Sequence, residues 1–480
     1  MATRSLKKRI ERDSMGEMRV PTHALYGAST QRAVLNFQVS GRPVSRSIIH
    51  AFALLKQSAA VANAKLKLLD SERSKLIVDA CEEIMLALDD PTRAEGMMKH
   101  FPVDVYQTGS GTSTNMNVNE VISNIACKAS GNKVGAKIPI HPNDHVNMGQ
   151  SSNDTFPSAM QLAACIELRG LLIPAIKGLA KSLKAKEKKW DKIVTVGRTH
   201  LMDATPIRMG QIFSGFSAAM RYGIRRAERA MMRLAEDMPI GGTAVGTGIN
   251  THPKFATLVC KSLSRTTKIT FSEAANHFEA QATRDCIVEA HGELKTIATS
   301  LSKISNDIRL LGSGPRCGFF QLSLPAVQPG SSIMPGKVNP VICESAMQVF
   351  CQVLGNDVAI TTAASGGIGS IFELNHCMPL IAERLIESIT LLAGASKILD
   401  EKLIQGLEVN AEIAEGLCEM SLMVCTALVP VLGYDKTALV AKEASATGET
   451  IRECTIRLGL LSEDDLDVLL DYREMTKPRA

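Results

Sequence analysis

Leu168, Leu171, Leu172, Ile176, Leu179 and Leu183 recur at three- and four-residue steps. That spacing puts them on one face of an α-helix. Long stretches of the same kind occupy Met209–Leu234, Ala282–Leu311, Val341–Ala363 and Met378–Leu403. A helix of about thirty residues spans about 45 Å, so several in succession predict an elongated bundle. Many carry Ala, Ser and Gly where a monomer needs a polar outer face. Helices apolar on more than one side find a partner chain, so the pattern predicts an oligomer with these bundles at its core.

The flanking segments read differently. Two windows, Ile48–Leu69 and Ser71–Leu88, are separated by Asp70, a candidate helix cap. The segments Gln107–Asn119 and His141–Asp154 are polar and rich in Gly, Asn, Ser and Thr. Their dense Asn, His and Asp mark ordered loops or helix starts and not linkers. Beyond residue 405 the helical windows shorten, with a break at Leu432-Gly433-Tyr434. The prediction is an all-α chain in three domains. Residues 1–150 form a mixed, mainly helical domain, 151–405 the long-helix bundle and 406–480 a small helical domain.

Composition narrows the picture. A chain of 480 residues is too long for one ordinary core and fits this division. Aromatics are only 4%, so Leu, Ile, Val, Ala and Met must fill the core, which suits helix-on-helix packing. The net charge of +5 is mild, and the dense basic runs, Lys7–Arg9 and Lys184–Lys189, are short. A nucleic-acid binder would carry a basic stripe with interleaved aromatics. A weak positive bias does favour anionic substrates. The twelve cysteines are scattered, with no CxxC pair. Cys81, Cys165, Cys260, Cys351 and Cys425 fall in apolar stretches, the pattern of buried, reduced thiols with no zinc or iron–sulfur signature. The N-terminus has no apolar signal core, and Glu11 and Asp13 do not suit a transit peptide. The expected location is cytoplasmic, or the mitochondrial matrix if a presequence has been removed. The apolar runs fall short of a membrane span, so no membrane partner is expected.

Four polar clusters carry candidate chemistry. Gly330–Pro340 reads GSSIMPGKVNP and lies between two long helical windows. It offers Ser331, Ser332, Lys337 and Asn339 together. A plain solvent loop is the bland alternative, but Ile333, Met334 and Val338 are apolar and imply docking against something. Thr108–Glu120 reads TGSGTSTNMNVNE, a Gly-punctuated turn whose hydroxyls and amides can cradle an anion. Gly149–Met160 places Ser151, Ser152 and Asn153 just before a long helix, where free amides favour a carboxylate. Its bland reading is a helix start capped by Asp154. Gly197–Pro206 puts His200 beside Thr199 in a polar turn. A lone histidine is more often structural, and His200 gains weight from the other three clusters.

Taken together, these clusters resemble the fumarase/aspartase superfamily over nearly the whole chain, from Asp13-Ser14-Met15-Gly16 onward. The wording Thr108-Gly109-Ser110-Gly111-Thr112, the stretch Gly241–Gly248 and Gly314–Gly318 are most similar to the iron-independent fumarases. Aspartate ammonia-lyases tend to read GGAGT at the first of these. GSSIMPGKVNP is shared by both groups, so it marks the superfamily and not the substrate.

The resemblance implies reversible hydration of fumarate to (S)-malate through an aci-carboxylate, with no cofactor or metal. It implies a homotetramer built on the long-helix bundle, each site shared among three subunits. Ser331 is implied as the base for the C3 proton, His200 with Thr199 as the group at the departing hydroxyl, and Glu344 as the partner of His200. Ser110, Gly111, Thr112, Ser151, Ser152, Asn153, Ser332, Lys337, Val338 and Asn339 are implied around the substrate carboxylates. A second anion site is implied at His141, Asn143 and Asp144. Some members place an Arg three residues before that His; here Ile138 stands there, so the site is weaker or uses Lys137. Tyr26 and Gly149 replace the usual Trp and Ser, away from the proposed chemistry. The competing expectations are an aspartate ammonia-lyase with the same pocket, and a non-catalytic relative, which should have lost Ser331, His200 or Lys337.

The chemistry explains the residue types. Removing the C3 proton of malate loads a second charge onto the adjacent carboxylate, so fixed donors must surround it. Serine is a poor base unless its oxyanion is stabilised, which Lys337 and the loop backbone can do. The opposite side needs an acid with a pKa near neutrality, the natural place for histidine.

Overall fold

Asp70 caps a helix, as its sequence position predicts. Its side chain accepts the Arg73 N–H at 2.9 Å, and it separates helices Arg46–Lys65 and Ser71–Asp89. These helices pack together through fully buried Ile48, Phe52, Leu55 and Ile77. The computed structural model describes residues 7–478.

The long windows are helices, with instructive differences at their ends. They run over Met209–Ala235, Asp285–Leu311, Val341–Ala364 and Met378–Ile398. The window starting at Ala282 begins later because His277–Ala282 is a separate short helix, capped by the Asn276 side chain. The leucine-rich stretch is two helices, Ser152–Glu167 and Ile173–Lys189, joined by a π-helical turn over Leu168–Leu172. Pro174 follows one residue after the turn. It has no N–H to give, and the wider turn takes up the break in the hydrogen-bond ladder. A second π-turn, Leu399–Ile404, ends the Met378 helix earlier than the expected Leu403. This stretch, Ser152–Lys189, is long and apolar enough to cross a membrane, yet 61% of its apolar window is buried within the protein.

Four two-stranded antiparallel ribbons accompany the helices among the described residues. The two longer ones pair Lys8–Asp13 with Gly16–Pro21, and Val194–Thr199 with Met202–Arg208. The sequence reading did not anticipate them. The fold is otherwise helical, as expected.

Contacts group the chain into two compact units. The first holds residues up to Ile173, Arg226–Thr296 and Cys351–Leu392; the second holds Pro174–Arg225, Ile297–Phe350 and the chain from Ala393. In the first unit Phe52 meets Phe156 edge to face at 5.6 Å. In the second, Trp190, Phe213 and Phe216 form an edge-to-face series. The second unit also holds an apolar cluster of Val424, Leu428, Val440, Ile451 and Leu466. Some apolar residues on the long helices, such as Tyr222, Met232 and Val358, are exposed. One cysteine departs from its expected burial: Cys351 is exposed, on the outer side of its helix.

Candidate active site

In the first unit, two helix N-termini are joined through hydroxyl groups. Gly111 is the N-cap of the Thr112–Ala129 helix, with φ +73°. A Cβ there would overlap the Phe156 ring, and one at Gly109 would overlap the His376 carbonyl. Only glycine fits both places. Ser110 Oγ then lies 2.8 Å from Thr112 Oγ1, which lies 2.6 Å from Ser152 Oγ.

Ser152 opens the second helix. The cap is Ser151, whose Oγ accepts the Asn153 N–H at 3.2 Å, and not Asp154 as the bland reading had it. Asp154 sits inside the first turn, where its Oδ1 accepts the Ser151 N–H at 2.9 Å, completing a capping box. Its Oδ2 reaches the Gly241 and Thr243 amides, each at 3.0 Å. Asn153 Nδ2 adds a bond to the Ala244 carbonyl at 2.8 Å. The Gly-rich loop is thereby fastened to the start of this helix. Burial pushes the Asp154 carboxyl up to about 6, against the three amides that favour its charged form. Helix N-termini and hydroxyls placed together have the chemistry that favours an anion.

The turn at His141 is also in this unit. Its Nδ1 accepts the Asn143 and Asp144 amides at 3.3 and 3.2 Å, capping the π-turn Pro142–Val146. Lys137 turns away: its Nζ donates to the Arg12 carbonyl at 2.7 Å, and Ile138 is exposed. The cation beside this turn is Arg73, whose Nε donates to the Pro139 carbonyl at 3.3 Å. Burial, then the charge of Arg73, holds the His145 imidazole below its usual pKa. Sequence reading missed Arg73 because it lies on a distant helix.

The second unit carries the reactive candidates. His200 and Leu201 form the two-residue tip of the hairpin, with φ +57° and +62°. Two left-handed residues match the twist of a tight hairpin, and a non-glycine pair there stores strain. Thr199 and His200 are exposed at this tip. The hairpin is braced from behind: Arg198 donates to Gln321 Oε1 at 2.7 Å and stacks on Phe319 at 4.4 Å.

The loop Gly330–Pro340 is closed on itself. Gly330 N–H donates to the Lys337 carbonyl at 2.9 Å, and Asn339 Nδ2 to the Gly330 carbonyl at 2.6 Å. Asn339 therefore braces the loop through its side-chain amide. Ser331 Oγ accepts two backbone amides, from Ile333 at 3.2 Å and Met334 at 3.1 Å. Ser332, Lys337 and Val338 are exposed, as are Ile333 and Met334; Ile333 is 83% exposed. Among the described residues of this unit nothing covers these apolar side chains, for which the sequence predicts docking. Glu344 lies in the first turn of the Val341–Ala364 helix and is exposed. Among the described residues of one chain, Glu344 and His200 make no hydrogen bond to each other.

Comparison with known proteins agrees with the sequence resemblance. A family model described as lyase matches residues 16–355, and one described as fumarase C C-terminus matches residues 424–477. A class II fumarate hydratase of Bradyrhizobium diazoefficiens is 47% identical over 98% of this chain and 97% of its own. A mitochondrial fumarate hydratase of Rhizopus oryzae is 47% identical over 97% of this chain and 92% of its own. The crystal structure of a class II fumarase from Schistosoma mansoni aligns with TM-score 0.93 and 37% identity, over 99% of this chain and 100% of its own.

Proposed function

Because this chain belongs to the class II fumarate hydratase family, and so catalyses the reversible hydration of fumarate to malate, we propose how its side chains divide that work. In the dehydration direction Ser331 Oγ, as the alkoxide, removes the C3 proton of (S)-malate. The electron pair left behind moves into the adjacent carboxylate, giving the aci-carboxylate. The hydroxyl then leaves as water, taking a proton from His200 directly or through a solvent molecule.

The observation that carries this reading is the pair of amides on Ser331 Oγ. An oxygen with two N–H donors already aimed at it is arranged to hold negative charge before reaction begins. The Lys337 cation and the closed loop add to that stabilisation. Ser110, Gly111, Thr112, Ser151, Ser152 and Asn153 hold substrate carboxylate, and Ser332, Lys337, Val338 and Asn339 are substrate-binding residues as well. His141, Asn143 and Asp144, aided by Arg73, form the second anion site.

The same proposal includes a homotetramer, sites shared among three subunits, and the three-domain division at residues 150 and 405. Two features favour shared sites. His200 and Glu344 are unpaired with each other within a chain, and Ile333, Met334 and Val338 are bare. Glu344 of one copy then holds the imidazole of another. The free, mostly buried thiols suit a reducing, cytoplasm-like compartment.

Two experiments test the proposal. Malate and aspartate are supplied separately and fumarate formation is followed. Release from malate alone is expected, and release from aspartate alone would overturn the assignment. Inactive Ser331→Ala and His200→Asn chains are then denatured together and reassembled. If each site draws these groups from different copies, the mixture recovers roughly a quarter of wild-type activity. A mixture as inactive as its parents contradicts shared sites.

A further inference from the structure

The helix Arg46–Lys65 carries a lysine with no place in the proposed chemistry. Lys56 is fully buried, and its Nζ donates to Asn147 Oδ1 at 2.9 Å and Gln150 Oε1 at 3.0 Å. Among the described residues it forms no ion pair. Asn147 Oδ1 accepts two further donors, Asn115 Nδ2 and Asn119 Nδ2, each at 3.2 Å. Three donors thus converge on one amide oxygen with two lone pairs, so its accepting capacity is fully used. An apolar side chain would fill such a site at lower cost than an unpaired ammonium.

The partners show where the lysine acts. Asn115 and Asn119 lie on the helix that starts at Thr112, and Thr155 Oγ1 donates to Asn115 Oδ1 at 3.2 Å. Asn147 and Gln150 lie in the segment that leads directly into Ser151 and Ser152. Asn147 Nδ2 donates to the Gln150 carbonyl at 3.1 Å and fixes that segment. Lys56 thus ties together, from beneath, the two helix N-termini whose hydroxyls meet at Thr112 and Ser152. Its charge adds to the positive ends of both helices.

We propose that Lys56 is a positioning residue for dicarboxylate binding: its buried ammonium holds the two helix starts in register and supplies positive potential beneath the carboxylate pocket. The inference rests on the reading that this pocket binds the substrate carboxylates. The titratable groups facing Lys56 are Asp154 and Cys81. Burial holds the Cys81 thiol neutral, while Asp154 is bonded to three amides. Burial, offset in part by Asp154, lowers Lys56 to about 7. The ammonium is therefore present below that pH and lost above it, so anion binding should weaken as pH rises through neutrality.

The test uses the full-length enzyme with succinate, a saturated dicarboxylate that binds without reacting. In the wild type, the inhibition constant for succinate rises as pH passes through about 7 and levels off near the value of the Lys56→Met enzyme. The Lys56→Met enzyme shows KM and succinate inhibition constants raised at least about tenfold at pH 6.5, a smaller change in kcat, and a flattened pH profile. Asn147→Asp, of nearly the same shape, gives Lys56 a counter-ion and moves the wild-type midpoint upward by about one pH unit. This variant decides the matter if Lys56→Met fails to fold. Unchanged KM and succinate inhibition constants in a folded Lys56→Met enzyme, or a pH profile that stays in place in Asn147→Asp, overturn the proposal. These readouts concern binding. Failure of the Ser331 assignment would appear instead as retained kcat in Ser331→Ala.

Discussion

Thr112 Oγ1 stands 2.6 Å from Ser152 Oγ, so the first residues of two helices share one hydrogen bond. Ser110 joins the same hydroxyl at 2.8 Å. Thr112 is therefore the middle of a three-hydroxyl chain laid across two positive helix ends. Thr112→Val keeps the shape and removes the link. KM for malate and fumarate is expected to rise by roughly tenfold to a hundredfold, with kcat changed far less. Steady-state kinetics decide it; a fall in kcat at constant KM would place Thr112 elsewhere in the reaction.

Gly111→Ala meets two obstacles, the left-handed backbone at φ +73° and the Phe156 ring. The expected loss of stability is about 2–4 kcal/mol. Denaturant unfolding measures it, and a variant as stable as the wild type would mean the turn readily adopts another conformation.

Asp154 gives a pH signature. Its folded pKa, about 6, lies above the ordinary 3.8. The folded state therefore holds this proton more tightly than the unfolded chain. The resulting stabilisation is complete below about pH 4 and is lost as pH rises through about 6. Asp154→Asn removes that titration, so the stability difference between wild type and variant should change across this window. Lys56 has the opposite sign: its contribution is present above its ordinary 10.5 and lost as pH falls through about 7. Urea unfolding at several pH values checks both; parallel curves for wild type and Asp154→Asn would refute the assignment.

A Ser–His–Asp arrangement in the first unit is structural. His291 lies 2.9 Å from Asp357 through Nδ1 and 2.9 Å from Ser388 through Nε2, and both His291 and Ser388 are fully buried. Without access for substrate, the trio links three long helices. Ser388→Ala should cost about 1–3 kcal/mol of stability. KM should be unchanged, and a loss of turnover without loss of stability would contradict a purely structural role.

Much of this was legible in the sequence because local chemistry dictated it. Asp70 had to cap, Gly433 had to break a helix, and leucines at three- and four-residue steps had to form one face. The π-turn before Pro174 was hidden because a single extra residue barely disturbs that spacing. Ser151 rather than Asp154 caps its helix because the capping box needs an acid in the third helical position, a distinction that composition alone does not make. Ser331 was legible through its loop, but the two amides on its oxygen follow from backbone geometry. Lys56 and Arg73 left no motif. Each acts through partners about sixty to ninety residues away, and only the folded chain brings those together.

The role of Ser331 is tested most directly by Ser331→Ala, assayed for malate dehydration and for succinate inhibition in the same preparation. If Ser331 is the base, kcat falls by at least about a hundredfold while the succinate inhibition constant stays within about threefold. Turnover within about threefold of wild type, with binding intact, would contradict that role and move the base to another residue.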